Sequence, residues 1–227
     1  MASGRLALIV VLLCLGLAGS GAPGAGDGTR WVDASGLPRL GRAFDDAAGY
    51  ERLPERFRGA VPEAVWSLSR HGAGIMVRFS SDATAIRARW ETGETRMPHM
   101  TANAIAGLDL YAVDDGGMRY LATGRASPDG SHESPLVQGL GPGVREFVLY
   151  LPLYERVDSL ELGVPEAAVI AAPRFSYFNR PPIVVYGTSI TQGACASRPG
   201  LAYTADLGRL LRREVVNLGL SGNGRLD

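Results

Sequence analysis

The sequence predicts a β-sandwich or jelly roll followed by the first β-α-β unit of a layered α/β domain. Short runs with alternating apolar and polar residues, separated by glycine, proline and aspartate, fill residues 30–180. A double proline, Pro181-Pro182, ends this pattern. After it, two continuous apolar runs enclose a stretch with helical spacing, which is typical of a parallel sheet covered by helices.

Residues 1–25 have the pattern of an export signal. Arg5 supplies a positive charge, and the apolar run at 6–17 is shorter than the roughly 20 residues that span a bilayer. We therefore expect a cleaved signal, a secreted, periplasmic or extracellular address, and no stable membrane insertion. Cleavage would leave Cys195 as the single cysteine of this chain, so we expect no internal disulfide and a fold that depends on its core.

Six runs with period-two alternation predict the strands of the β-rich region, at residues 75–80, 86–91, 108–112, 118–122, 147–151 and 160–164. A hairpin signal of two aspartates and two glycines at 114–117 joins the third run to the fourth. No long helical pattern interrupts the runs. This arrangement favours an antiparallel sandwich or jelly roll.

The last region, residues 181–227, reads as β-α-β. The apolar run at 183–186 predicts a strand buried on both faces, residues 200–214 show helical spacing, and 215–220 predict a second buried strand. Layered domains usually need roughly 100 residues or more. We therefore expect the chain to be the front part of a longer protein.

Composition excludes several kinds of chemistry. All 23 basic residues are arginine, so the phosphate-binding lysine of a Walker A loop, a Schiff-base lysine and an S-x-x-K acyl enzyme are absent. The basic residues are matched by 23 acidic ones, which predicts no nucleic-acid partner. No pair of histidines has the spacing of metal ligands, so we expect no zinc site.

Two blocks of the last region resemble those of the SGNH (GDSL-type) hydrolases. They are Tyr-Gly-Thr-Ser-Ile-Thr-Gln-Gly at 186–193 and Asn-Leu-Gly-Leu-Ser-Gly-Asn at 217–223, in the order and spacing of that family. Upstream, Gly-Leu-Asp-Leu-Tyr at 107–111 is similar to the G-x-D-L-Y signature of a β-rich N-terminal domain in one bacterial branch. The resemblance implies a two-domain serine esterase with a flavodoxin-like, three-layer hydrolase domain and no cofactor. It implies Ser189 as nucleophile, with the backbone N–H groups of Ser189 and Gly222 binding the oxyanion.

The physical chemistry of these turns is consistent with those roles. A serine between a buried strand and a helix presents its hydroxyl at the carboxyl edge of the sheet, where open α/β proteins bind ligands. Gly222 follows the adjacent strand at the same edge, and each oxyanion donor is worth roughly 10² to 10³ in rate. Asn223 is a further candidate for polarising the substrate carbonyl, or it caps a turn. Thr188 replaces the family's common aspartate, and Thr191 excludes the G-x-S-x-G elbow of α/β-hydrolases.

A serine nucleophile needs a base. The asparagine donor and the Asp-x-x-His pair of the family follow these two blocks further along its members, so the chain as given should be inactive as an esterase. The three histidines, His71, His99 and His132, lie in turn-like sequence of the β-rich region, which favours structural roles. One of them could instead reach Ser189 across the domain boundary.

Other residues have a structural and a functional interpretation. Asp109 is expected to be a solvent-facing or turn-bonding carboxylate and Tyr111 a packing residue. Cys195 could be a second nucleophile, but a single free cysteine is usually a small buried residue. Three aromatic residues before the double proline could stack on a sugar ring, but more often such a group packs in a domain interface; they are Phe175, Tyr177 and Phe178.

The sequence thus favours an exported serine esterase that removes acyl, in particular acetyl, groups, with carbohydrate as a candidate carrier. Its partner would be a small-molecule or glycan ester, and the oligomeric state stays open. The alternative is a non-catalytic β-sandwich module that binds a glycan. A downstream asparagine and Asp-x-x-His pair would distinguish the enzyme from the binding module.

Overall fold

The computed structural model describes residues 28–174, 177–178 and 180–225. The predicted signal region, 1–25, and Phe175 lie outside the described residues. Within them, a β-rich part at 28–171 holds two antiparallel sheets, and a β-α-β unit at 183–219 holds one parallel strand pair.

The β-rich part contains ten strands. They are β1 (Thr29–Asp33), β2 (Arg39–Leu40), β3 (Met76–Ser81), β4 (Ile86–Thr92), β5 (Leu108–Asp114), β6 (Gly117–Gly124), β7 (Ser131–Val137), β8 (Arg145–Tyr150), β9 (Val157–Pro165) and β10 (Ile170–Ala171). One sheet has the order β1-β9-β4-β7, and the other has the order β10-β3-β8-β5-β6, with β2 paired to β3. Each of the six predicted runs coincides with a strand.

The two sheets enclose one hydrophobic core. Val77, Phe79 and Phe147 from the larger sheet pack in the same cluster as Trp90 and Leu160 from the smaller one. The rings of Phe79 and Phe147 stack with their centroids 5.1 Å apart. The β-rich part is therefore two layers of antiparallel strands held together by the inward face of each alternating run.

Two short helices interrupt the strands, α1 (Glu63–Ser69) and α2 (Ala102–Ala106). Thr101 caps α2, because its hydroxyl accepts a hydrogen bond from the Ala104 N–H at 3.1 Å. None of the described helices is long and apolar enough to cross a membrane.

The β-α-β unit consists of β11 (Ile183–Gly187), α3 (Ser189–Gln192), α4 (Tyr203–Leu211) and β12 (Val215–Gly219). β11 and β12 are parallel. The burial predicted for both faces of β11 is not reached within the described residues, where Val184 and Tyr186 are 58% and 44% exposed. Alternation explains this. Gly187 faces α3 at Thr191, so the side chains of Val184 and Tyr186 point away from the helix.

Two smaller hydrophobic clusters join the β-rich part to the β-α-β unit. In one, Leu153 and Tyr154 pack in a cluster with Ala202, which precedes α4. In the other, Tyr150 and Phe178 pack with Ala205 of α4. The boundary between the two parts is therefore a packed interface.

Candidate active site

Ser189 is the first residue of α3, directly after the carboxyl end of β11. The first hydrogen bond of the helix runs from Gln192 N–H to Thr188 O at 3.0 Å, so the N–H of Ser189 has no acceptor inside the helix. Ser189 is half-buried, and its hydroxyl makes no hydrogen bond within the described part of the chain. Both the hydroxyl and the N–H are therefore available to a ligand.

Gly222 lies in the turn that follows β12 at the same edge of the sheet. Leu220 N–H donates to Gly187 O at 2.9 Å, which extends the strand pairing to this edge. Gly222 has a φ of +70°, a conformation that glycine adopts without steric cost. Its N–H has no acceptor among residues 28–174, 177–178 and 180–225, and the space beside its Cα is open.

The two turns are interlocked. A Cβ atom on Gly219 would lie 2.0 Å from the backbone nitrogen of Gln192, so only glycine allows β12 to pack so closely on α3. Ser221 N–H donates to Gln192 Oε1 at 2.9 Å. The structure thus places the predicted Ser189 and Gly222 on neighbouring turns that are hydrogen-bonded to each other.

Asn223 has a structural role within this turn. Its N–H donates to Leu220 O and its Nδ2 to Ser221 O, each at 2.8 Å. These bonds close the turn around Gly222.

Gln192 orients the turn and was not singled out from the sequence. Its side chain is fully buried. Nε2 donates to Leu153 O and lies 3.1 Å from His71 Nδ1, while Oε1 accepts the N–H of Ser221. The two nitrogen contacts come from the β-rich part, and they fix which end of the amide faces Ser221.

His71 reaches α3 but does not reach Ser189. Its Nδ1 accepts the hydrogen bond from Gln192, so the proton of the neutral ring is on Nε2. Burial, with the nearby guanidinium of Arg52, lowers the pKa of His71 to about 4. Because its pKa is low and its Nδ1 is engaged by the Gln192 amide, the His71 ring is a poor base at neutral pH.

The other two histidines lie away from the site. His132 is not in a turn, as its sequence neighbours suggested, but in β7, buried and hydrogen-bonded to Thr92 Oγ1 and to the N–H of Ser127, each at 2.8 Å. His99 is exposed in a loop. None of the three histidines hydrogen-bonds to Ser189.

The G-x-D-L-Y signature forms a polar anchor between the two parts of the structure. Asp109 is fully buried, and one carboxylate oxygen accepts from Arg198 Nη1 at 2.6 Å and from Gly200 N–H at 2.8 Å. The other accepts from Thr123 Oγ1 at 2.6 Å. Arg198 Nη1 also donates to the Tyr111 hydroxyl at 3.0 Å. The expectation of a solvent-facing or turn-bonding Asp109 is therefore wrong, because the carboxylate is fully buried and its partners Arg198 and Gly200 lie about 90 residues away in the chain.

Two further expectations have clear outcomes. Cys195 is exposed, not buried, and has a φ of +62° in the turn after α3. Phe178 is buried against Ala205, and the Tyr177 ring meets it edge-on at 4.9 Å between centroids. These two aromatic residues pack at the interface, and Phe175, the third of the group, lies outside the described residues.

Comparisons with known proteins agree with this geometry. Residues 29–170 match the family described as "GxDLY: N-terminus of Esterase_SGNH_hydro-type". Residues 180–227 match the GDSL-like lipase/acylhydrolase family. No protein of curated function matches the sequence.

Among solved structures, a protein described as a GDSL-like lipase from Bacteroides ovatus ATCC 8483 is 36% identical, with a TM-score of 0.83 over 88% of this chain and 58% of that one. The salicylyl-acyltransferase SsfX3 from a tetracycline biosynthetic pathway is 21% identical, with a TM-score of 0.66 over 88% and 56%. A family two carbohydrate esterase from Cellvibrio japonicus is 15% identical, with a TM-score of 0.50 over 86% and 53%. The last two show a shared fold, and this chain spans less than two thirds of all three. The GxDLY family model matches residues 29–170, which is more than half of this chain. The chain therefore belongs to the SGNH (GDSL-type) hydrolases that carry an N-terminal GxDLY domain.

Proposed function

We propose that this chain supplies the nucleophile and the oxyanion donors of a secreted serine esterase. The observation that carries the proposal is the pair of interlocked turns at one sheet edge. One turn carries the Ser189 hydroxyl and the other carries the Gly222 N–H, and neither group is hydrogen-bonded within the described residues. Membership of the SGNH hydrolases supports the same reaction class. The β-α-β unit would belong to a three-layer, flavodoxin-like domain, and the β-rich part would be a jelly roll.

In this mechanism the Ser189 hydroxyl oxygen attacks the carbonyl carbon of an ester while its proton passes to a base. The carbonyl oxygen becomes negatively charged and accepts hydrogen bonds from the N–H groups of Ser189 and Gly222. Collapse of this intermediate breaks the bond to the alcohol, which leaves with a proton from the base. Water then releases the acid from Ser189 by the same steps in reverse.

The base is the part of the mechanism that the described residues do not supply. The resemblance implies an Asp-x-x-His pair for this role. The described residues with that spacing, Asp129 and His132, lie in the β-rich part, where His132 is hydrogen-bonded to Thr92 Oγ1 and to the N–H of Ser127 and not to Ser189. His71, the histidine that reaches α3, has its Nδ1 engaged by Gln192 and its pKa lowered by burial. Activity should therefore be measured with the full-length protein.

The substrate we propose is an acyl ester, in particular an acetyl ester, on carbohydrate. The predicted export signal supports a polymer or oligosaccharide outside the cytoplasm as the carrier. The shared fold with the carbohydrate esterase of Cellvibrio japonicus is compatible with this class. The two turns would bind the ester carbonyl, whereas the residues around them would select the carbohydrate that carries the acyl group.

The first prediction tests Ser189. In the full-length protein, Ser189→Ala should reduce turnover of 4-nitrophenyl acetate and of an acetylated xylo-oligosaccharide by about 10³-fold or more, because the proposed acyl intermediate forms on this hydroxyl. The melting temperature should stay nearly unchanged, since the hydroxyl makes no hydrogen bond to the described residues. Ser197→Ala, at an exposed serine near the same helix, is the matched control and should keep full activity.

Undiminished turnover by Ser189→Ala would refute the nucleophile assignment. If the unaltered full-length protein binds the oligosaccharide but releases no acetate, the glycan-binding alternative replaces the esterase.

A further inference from the structure

Arg52 is a fully buried cation whose hydrogen bonds all go to backbone carbonyl groups. It lies in the β-rich part, before α1, and is 1% exposed. Within the described residues its guanidinium pairs with no carboxylate. Nε donates to His71 O at 3.1 Å and Nη2 to Leu68 O at 2.6 Å, both within the β-rich part.

The remaining hydrogen bonds of Arg52 cross to the β-α-β unit. Nη1 donates to Gly219 O at 2.6 Å and to Asn217 O at 3.2 Å, at the end of β12. Successive residues of a strand direct their backbone groups to opposite edges. Leu220 N–H faces β11, so the carbonyl groups of Asn217 and Gly219 face the other edge of β12. On that edge the arginine occupies the place of a neighbouring strand.

The place of this contact along the chain connects it to the candidate site. Gly219 is three residues before Gly222, and Ser221 is held from the opposite side by Gln192. The segment that carries the Gly222 N–H is therefore held at Gly219 by Arg52 and at Ser221 by Gln192. Arg52 belongs to the β-rich part, and Gln192 is hydrogen-bonded to it. Displacing a catalytic group by about 1 Å can cost roughly 10²-fold in rate.

Burial makes this arrangement costly, which argues against an incidental contact. Removing a guanidinium from water without a counter-ion disfavours its charged form, and burial lowers the pKa of Arg52 to about 10. The side chain stays charged at neutral pH, and its planar fork can address carbonyl groups on two elements at once. Lysine, with a single ammonium group, cannot reproduce this geometry.

We propose that Arg52 is a positioning residue, through which the β-rich part holds the end of β12 and the Gly222 N–H in the geometry needed to stabilise the oxyanion. This inference rests on the proposed esterase function and deepens it. It gives the N-terminal part of the chain a role in the rate of the reaction, in addition to any role in substrate binding.

The test uses Arg52→Lys and Arg52→Met in the full-length protein, with Arg58→Lys and Arg58→Met as controls at an exposed arginine of the same segment. For 4-nitrophenyl acetate, we expect kcat to fall about 10- to 100-fold in both Arg52 variants while KM changes by less than about 3-fold. Amide hydrogen exchange should become faster in a peptide covering 219–224 and stay unchanged in a peptide covering β6. The Arg58 variants should match the unaltered protein in every measurement.

Each other outcome is decisive. If Ser189→Ala is inactive but the Arg52 variants keep their kcat, the positioning role is overturned and the esterase stands. If Ser189→Ala is fully active, the esterase fails, and hydrogen exchange at 219–224 alone then decides whether Arg52 holds the turn. A rise in KM with unchanged kcat, or loss of cooperative unfolding in both Arg52 variants, would assign Arg52 to binding or to folding and overturn the proposal.

Discussion

His71 has a single hydrogen-bonding role that depends on its charge. In the neutral ring Nδ1 accepts from the Gln192 amide. Protonation would place an N–H against that amide nitrogen and would add a positive charge beside the buried Arg52. Burial of the ring and the charge of Arg52 therefore exclude the protonated form at neutral pH and lower the pKa of His71.

The pH dependence of stability should report this exclusion. The pKa of His71 is about 4 in the folded chain against 6.5 for a free histidine, so the unfolded state takes up the proton first as the pH falls. The free energy of unfolding should be insensitive to His71 above pH 6.5 and should lose about 3 kcal/mol between pH 6.5 and 4. Urea unfolding at several pH values measures this loss. His71→Gln should flatten the decline, whereas His99→Gln, at an exposed position, should not. Parallel curves for all three proteins would contradict the assignment.

Single residues differ in how well the sequence predicted them. Ser189 and Gly222 belong to short local blocks, and turns of this kind depend on the residues within them. Gln192 and Arg52 were missed because their roles depend on distant partners. Arg52 is 167 residues from Gly219, and no periodicity or motif in a single sequence records such a contact.

At the scale of elements, β5 connects the two parts of the structure. Its Asp109 and Tyr111 hold Arg198 and Gly200, in the segment that leads to α4. Burial raises the pKa of Asp109, while the hydrogen bonds from Thr123, Gly200 and Arg198 favour its ionised form. Asp109 and Tyr111 of the signature therefore dock the segment that leads to α4 against β5.

Asp109→Asn should weaken this docking. The amide cannot replace the charge that pairs with Arg198, and the Thr123 hydroxyl, which donates to the carboxylate, would have to turn and accept from the amide N–H. We expect a loss of about 2 to 4 kcal/mol in the free energy of unfolding. The matched control is Asp158→Asn, which removes an exposed ion pair with Arg156 and should cost less than about 1 kcal/mol. Urea titration followed by circular dichroism compares the two, and equal losses would show that the anchor adds no stability.

Elements with a clear hydrophobic pattern were predictable, whereas short or compositionally mixed elements were not. The six predicted runs coincide with β3, β4, β5, β6, β8 and β9 because each turns an apolar face to the core. β7 was missed, since it buries His132 and Ser134 alongside Leu136 and contains a proline. Short elements such as β1, β2, β10 and α2 have too few residues for a period to be recognised.

At the scale of the whole molecule, the two parts should unfold together. Two of the three hydrophobic clusters contain residues from both sides of the boundary, and the Arg52 and Asp109 networks cross it as well. Hydrogen exchange in increasing urea should show the same denaturant dependence for peptides from β4 and from β12. Exposure of β12 at a lower urea concentration than β4 would show that the interface does not couple them.

Arg52, which covers the edge of β12 opposite β11, also bears on how such proteins evolve. A gene fusion that exchanged the N-terminal portion for an unrelated module would remove the donors of Asn217 O and Gly219 O and uncover the strand to pairing with other chains. Such a recombination would thus destabilise the β-α-β unit even if its own sequence were unchanged. We expect the two halves to be inherited as a single unit, with substitutions at their shared boundary occurring in compensating pairs.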